Sequence, residues 1–294
     1  MTTEQVRANK PLPVVLRPVP DELLSSWLHR HATFYGVTEP MLISWLGLDI
    51  RRLRVLDGRI GLGQIARLVE MFRCDPTAII GMTHTSLPAE VTSLVGKGRA
   101  VQLCRQCRKQ HQATQAADAV LKSWVEGWRI TCPLCGSPLS EPEGPRGSRD
   151  TIRDTSPFAK LWNKATAGED IVNRHLRGAA TPFASPTAVM RLLLILSWYR
   201  PDEPLEGYRK GWLLNELVPG FDTEALRVNP SISKGATAWI PLRLRVALVA
   251  GLAVAADDPI GTLTHLRPAC RLFYRRRFDE LALAALGCPC ELSS

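Results

Sequence analysis

The sequence predicts a mainly α-helical protein interrupted by a small cysteine-rich segment. Three observations point there. Apolar residues recur at three- and four-residue spacing in short stretches separated by Pro and Gly. Two Cys-x-x-Cys pairs, Cys104/Cys107 and Cys132/Cys135, stand 24 residues apart between two such helical regions. The 294 residues are 45% hydrophobic and 22% charged, the balance of a folded globular chain rather than a disordered one.

The elements follow in chain order. Pro11, Pro13, Pro18 and Pro20 predict an extended arm over the first 20 residues. A first helix is expected from Asp21, as N-cap, through Leu23, Leu24, Trp27, Leu28 and His31 to Tyr35, with Gly36 as its stop. Thr38 caps a second helix, Glu39 to Leu46. Residues 48–59 read as a loop, with Arg51, Arg52, Arg54 and Arg59 against Asp49 and Asp57. A third helix, Leu62 to Phe72, puts Ile65, Leu68, Val69 and Phe72 on one side. Asp75-Pro76 starts a short fourth. Short helices joined by tight turns have the form of a helix-turn-helix module, and an ordinary small helical bundle gives the same periodicity. After the cysteines, residues 140–148 (Ser-Glu-Pro-Glu-Gly-Pro-Arg-Gly-Ser) read as a linker. Helices are then expected over 156–167, 186–199, 208–217, 241–256 and 271–286, with prolines between them. The resulting division is a helix-turn-helix-like helical domain over 1–96, a zinc ribbon over 97–142, a linker over 143–155 and a C-terminal helical domain over 156–294.

The ribbon assignment rests on ligand chemistry. Each Cys-x-x-Cys turn aims two sulfurs at one point, and two turns complete a tetrahedral shell around zinc. Four protein ligands leave no position for water, so the expected Zn2+ is structural. Cys288-Pro-Cys290, with Cys270 or His265 nearby, is a weaker second candidate without a partner pair, and Cys74 reads as a core residue. The N-terminal segment lacks an apolar signal core, and the most apolar stretch, 241–256, contains Arg243 and Arg245 and is too short for a bilayer. The expectation is a cytoplasmic protein with no membrane contact. No GxxxxGK[ST], HExxH or GxSxG motif occurs, and Gly58 to Gly63 follows no strand, so no enzyme is expected.

The formal net charge of +9 and pI near 9.4 favour a polyanionic partner. Candidate contacts to nucleic acid or a partner protein are Arg51, Arg52, Arg54, Arg67, Arg105, Arg108, Lys109, Arg275, Arg276 and Arg277, with Arg267, Arg271, Phe273 and Tyr274 beside the last three. Solvated surface is the plain alternative for all of them. Gln64, Arg67 and Glu70 are the polar groups that a recognition helix over 62–72 offers to base edges.

Two segments together resemble the TniQ family. Arg17-Pro18-Val19-Pro20-Asp21-Glu22-Leu23-Leu24-Ser25-Ser26-Trp27-Leu28, continued by Arg30, Ala32 and Gly36, is similar to the family's opening run. Trp124, Trp128 and Arg129 leading into Cys132-Pro133-Leu134-Cys135-Gly136, with Leu139, resemble its ribbon. Cys135 stands where the family usually has histidine, and the family's further Cys-x-x-Cys is missing downstream. The resemblance covers about residues 11–140. It implies a non-catalytic adaptor that connects a target-recognition device, a CRISPR effector complex with guide RNA on target DNA in some elements, to the transposon's AAA+ ATPase, in some cases as a homodimer. In other elements a TniQ-like protein recognises a DNA site directly, which is the alternative reading here.

Overall fold

The computed structural model describes residues 10–96, 102–114, 116–141, 151–197, 211–228 and 240–287. These are mostly helical. The helices begin with α1 (Leu24–Phe34), α2 (Glu39–Leu46), α3 (Val55–Gly58), α4 (Leu62–Phe72), α5 (Pro76–Gly81), α6 (Ala89–Thr92) and α7 (Arg105–Gln112). They continue with α8 (Ile152–Thr155), α9 (Trp162–Leu176), α10 (Pro186–Leu193), α11 (Leu214–Leu217), α12 (Phe221–Val228), α13 (Leu242–Asp257), α14 (Pro259–Ala269) and α15 (Arg275–Leu286). The strands β1 (Leu196–Ser197) and β2 (Gly211–Trp212) pair antiparallel. Two compact units result, each built from two stretches of chain: Met1–Leu87 with Arg105–Trp124, and Pro88–Cys104 with Val125–Ser294.

The first unit closes around Trp27, Leu28, Leu46, Leu56, Leu68, Met71 and Phe72, all buried, so the periodic residues of α1, α2 and α4 face one core. The proline-rich arm is bound to that core by side chains. Trp27 donates its indole N–H to Leu16 O at 2.8 Å, Arg30 donates to Arg17 O at 2.9 Å, and Val19 N–H donates to Glu22 at 2.9 Å. Tyr35 holds both backbone groups of Val14. Prolines cannot donate to a strand ladder, so side chains of α1 and of Glu22 and Tyr35 at its two ends satisfy the arm's backbone instead. His31 completes the clamp. Its Nδ1 lies 2.9 Å from Trp27 O and its Nε2 accepts from Leu16 N–H at 2.9 Å, a pattern that only the neutral ring supports. Burial, with some help from Arg30, holds its pKa below the usual value.

Asp21 does not cap α1. Its backbone is left-handed (φ 63°), and it turns away to accept from the backbone N–H groups of Lys122 and Ser123 at 2.7 and 3.1 Å. The start of α1 is served from α3: Asp57 accepts from Ser25 N–H at 2.8 Å and from the Ser25 hydroxyl at 2.6 Å. Residues 48–59 are accordingly not wholly a loop. Burial pushes the Asp57 carboxyl up to about 6, against the pull of its bonds to Ser25.

The second unit is organised on α13, which is buried nearly all round, as a central helix must be. Around it pack α9, α10, α11, α12 and α14, while α15 lies against α10 and α14. The closest approach is at Gly168 in α9, where an added Cβ would stand 1.8 Å from Val249 O. That glycine explains why α9 outruns the expected 156–167: a residue that reads as a breaker is the point of helix contact. Helix α13 matches the expectation within a residue, and α15 begins only at Arg275 after a 3-10 turn, Leu272–Tyr274. The stretch 186–199 is shorter than expected as a helix, since the chain leaves α10 after Leu193 to form β1, and 211–212 is strand rather than helix. Residues 198–199 and 208–210, like 1–9 of the expected arm and 142–150 of the expected linker, lie outside the described residues. Helices α12 and α14 were not expected, since prolines 219, 259 and 268 read as punctuation, whereas Pro259 sits at a helix start and Pro268 in a last turn.

Among the described residues no single helix is long and apolar enough to cross a membrane. Helices α13 and α14 pass that test only together, and they are bent by 119°.

Gly168→Ala should therefore force α9 and α13 apart and destabilise the protein by about 3 kcal/mol or more, because the colliding atom is backbone. Gly63→Ala, with nothing within 4 Å of its added Cβ, should leave stability unchanged or slightly raised. Thermal melts of the two variants decide it.

Candidate metal centre

Three short extended segments carry the cysteines. Leu103 and Ser140 exchange backbone hydrogen bonds of 2.9 and 2.8 Å, and Leu139 N–H donates to Ile130 O at 2.9 Å. The segment 138–140 thus lies between the run that ends at Cys104 and the run that enters Cys132. The second pair sits on a hairpin turn: Cys132 N–H donates to Ser137 O and Gly136 N–H to Cys132 O, both at 2.9 Å. The turn needs a left-handed residue directly after Cys135, and Gly136 supplies it at φ +72°. The first pair is arranged differently from the second. Cys104 precedes α7 and Cys107 lies in its first turn, so helix rather than hairpin sets that spacing.

One ligand atom from each of Cys104, Cys107, Cys132 and Cys135 lies within 4.8 Å of the others. Sγ of Cys104 and Sγ of Cys135 are 3.4 Å apart. A tetrahedral zinc thiolate shell with bonds of about 2.3 Å requires sulfurs about 3.8 Å apart, so the cluster is of the right size. Cys104, Cys107 and Cys132 are buried while Cys135 is exposed. The donor set fits zinc: soft ligands, four of them, in a space shielded on most sides. Among the described residues no other group of three or more His, Cys, Asp or Glu is placed to hold a metal. His111 lies on α7 and is not part of the cluster. Cys270 is buried, its thiol donates to Arg271 O, and burial pushes its pKa up to about 11. Cys288 and Cys290 lie outside the described residues. Cys74 is half-buried at the edge of the first unit's core.

Two residues that the sequence reading passed over hold the segment that enters Cys132. Arg245, inside apolar α13 and 1% exposed, donates to Arg129 O at 3.0 Å, Ile240 O at 3.2 Å and the Gln102 side chain. Gln102 in turn donates to Glu126 O at 2.9 Å. Burial lowers the Arg245 pKa to about 10, which still leaves it charged at neutral pH. Glu169 on α9 accepts from the Thr131 hydroxyl at 2.8 Å and lies 3.6 Å from Arg129. Burial pushes its carboxyl up to about 7, opposed first by Thr131 and then by Arg129. Trp128, buried, donates to Asn173 of α9 at 3.2 Å. Arg245 shares an otherwise apolar helix with Arg243, and nothing local in the sequence marks which of the two is sealed inside.

The basic candidates divide. Arg51, Arg52, Arg54, Arg108, Lys109, Arg276 and Arg277 are exposed, and Arg105 and Arg275 are half-buried. Arg67 is half-buried and engaged within the unit: it donates to Leu46 O at 2.9 Å and pairs with Glu70 at 2.8 Å. Gln64 accepts from Gly61 N–H at the start of α4. Gln64 and Arg67, two of the three side chains that a recognition helix would offer, are thus engaged within their own unit.

Because one planar fork serves carbonyls from two directions, Arg245→Lys should not rescue Arg245→Leu. Both variants should lose about 2–4 kcal/mol of stability, by leaving buried carbonyls without donors. Chemical denaturation of the purified variants checks this, and wild-type stability in the lysine variant would contradict it.

No curated protein and no solved structure matches the chain. The TniQ family model matches residues 13–162, just over half of the 294-residue chain. The match begins in the bound arm, takes in α1 with Trp27 and Arg30, includes all four clustered cysteines, and ends at the start of α9. The chain belongs to the TniQ family.

Proposed function

We propose that this protein is a non-catalytic adaptor in transposition, linking a target-recognition complex on DNA to a transposon AAA+ ATPase. The observation that carries the reading is the span of the family match, which covers both the clamped arm and the four-cysteine cluster. A CRISPR effector with its guide RNA is the recognition device of choice, because an adaptor that borrows its sequence specificity needs no base-reading helix of its own. Gln64 and Arg67 are engaged inside their own unit, which removes support from direct site recognition through α4. The exposed Arg51, Arg52 and Arg54 in the first unit, and Arg108 and Lys109 on α7, are the groups for backbone or acidic-partner contact. Self-association as a homodimer fits the same role.

Within this reading the four cysteines hold one structural Zn2+. All positions are filled by thiolates, so the metal supplies folding energy and no activated water. Cys132→Ser should lose zinc and destabilise the hairpin, whereas Cys135→His should keep it, since histidine is a competent fourth ligand. Metal content by elemental analysis, alongside thermal melts, separates the two. Stoichiometric zinc and an unshifted melt in Cys132→Ser would rule out this ligand set.

The adaptor role is tested by pull-down of the purified chain against the AAA+ ATPase and any CRISPR effector encoded beside it, with and without nucleic acid. Capture by either is expected. Failure with both, accompanied by tight binding to one duplex sequence, would overturn the reading in favour of direct DNA recognition.

A further inference from the structure

The elbow between α14 and α15 lies outside the residues that carry the adaptor reading. It holds the most exposed large apolar side chain among the described residues: Phe273 is 88% exposed, and its neighbour Leu272 is 62% exposed. The turn that presents them is fixed. Arg271 donates to Ser197 O at 2.8 Å, Tyr274 N–H donates to Arg271 O at 2.8 Å, and Arg267 on α14 grips Asp279 on α15 with two bonds. The Tyr274 ring stands perpendicular to Phe273 at 5.1 Å. Phe273 is thus offered to solvent from a pinned backbone.

The chain continues Arg275-Arg276-Arg277 as the first turn of α15, with no acidic residue in that turn and no side-chain cap. Cations there oppose the helix dipole. The Arg276 side chain is 93% exposed and only loosely paired with Glu280 at 3.1 Å. Arg277 is exposed and has no ion-pair partner among the described residues. A bare aromatic ring bordered by unfavourably placed guanidinium groups is complementary to a base with its phosphates. It matches neither an apolar peptide, which the arginines would repel by desolvation, nor a duplex, whose bases are already stacked.

We propose that this elbow binds single-stranded nucleic acid, with Phe273 as the stacking platform and Arg276 and Arg277 as the backbone contacts. The test uses the full zinc-loaded chain and fluorescein-labelled oligo(dT), oligo(U) and a mixed-sequence duplex, followed by anisotropy over a salt series. Single strands should bind more tightly than the duplex, and the order of oligo(dT) and oligo(U) distinguishes DNA from RNA. Phe273→Ala should weaken single-strand binding about tenfold or more, with Phe273→Tyr close to wild type. Arg276→Gln with Arg277→Gln should reduce the salt slope by about 1.4. All these side chains are exposed, so melting temperatures should not move. Unchanged affinity in Phe273→Ala, or displacement of the oligonucleotide by polyglutamate regardless of Phe273, would overturn the proposal, the second in favour of an acidic protein. Neither outcome depends on capture of the ATPase or effector, so the elbow and the adaptor role can fail separately.

Discussion

A guanidinium sealed inside a helical core organises the backbone that leads to the second cysteine pair. Arg245 could not remain buried without acceptors, and it has them in a carbonyl just before Cys132, a carbonyl just ahead of its own helix and the Gln102 side chain. The close seat of α9 on α13, possible because residue 168 has no side chain, then brings Glu169 and Asn173 against the same segment. The cysteine hairpin of the second unit therefore rests on a scaffold of two long helices rather than on its own small core. Thr131, Trp128 and Arg129 each have a partner on α9 or α13.

The first unit solves a different problem with similar means. A proline-rich arm cannot join a sheet, and left in water it would stay disordered. Here five side chains of one helical segment, Glu22, Trp27, Arg30, His31 and Tyr35, bond its backbone at Val14, Leu16, Arg17 and Val19. The Glu22–Arg30 pair is buried and reinforced by the Ser26 hydroxyl at 3.1 Å, which makes it a fixed element rather than a surface ion pair. Three of the residues that make the opening run resemble its family, Glu22, Trp27 and Arg30, are among those that hold the arm.

Much of this was legible beforehand. The helices over residues 24–34, 39–46, 62–72 and 242–257 follow from apolar spacing and capping residues, because each buries one stripe or a whole surface. The cysteine cluster follows from spacing alone. What the sequence concealed depends on contacts far apart in the chain. Asp21 has the chemistry of a cap, yet its carboxylate serves Ser123, and nothing local marks Asp57 as its substitute. Gly168 has the same letter in a loop as in a helix crossing. Arg67 and Gln64 look free for recognition until the neighbouring Leu46 and Gly61 backbones are seen beside them.

The cap that Asp57 provides has a consequence for how the chain acquires its shape. Helix α1 lacks a side-chain cap of its own, spans only 11 residues and contains His29, His31 and Thr33, which are weak helix formers. Its first turn is completed only when a residue 32 positions later arrives. A synthetic peptide of α1 would therefore be largely unstructured in water. During synthesis the arm and α1 must wait, exposed, until α3 has left the ribosome. The arm and α1 are thus completed later than their place ahead of α3 would suggest, and Trp27 and Leu28, buried only in the finished unit, are the apolar groups most in need of protection during that interval.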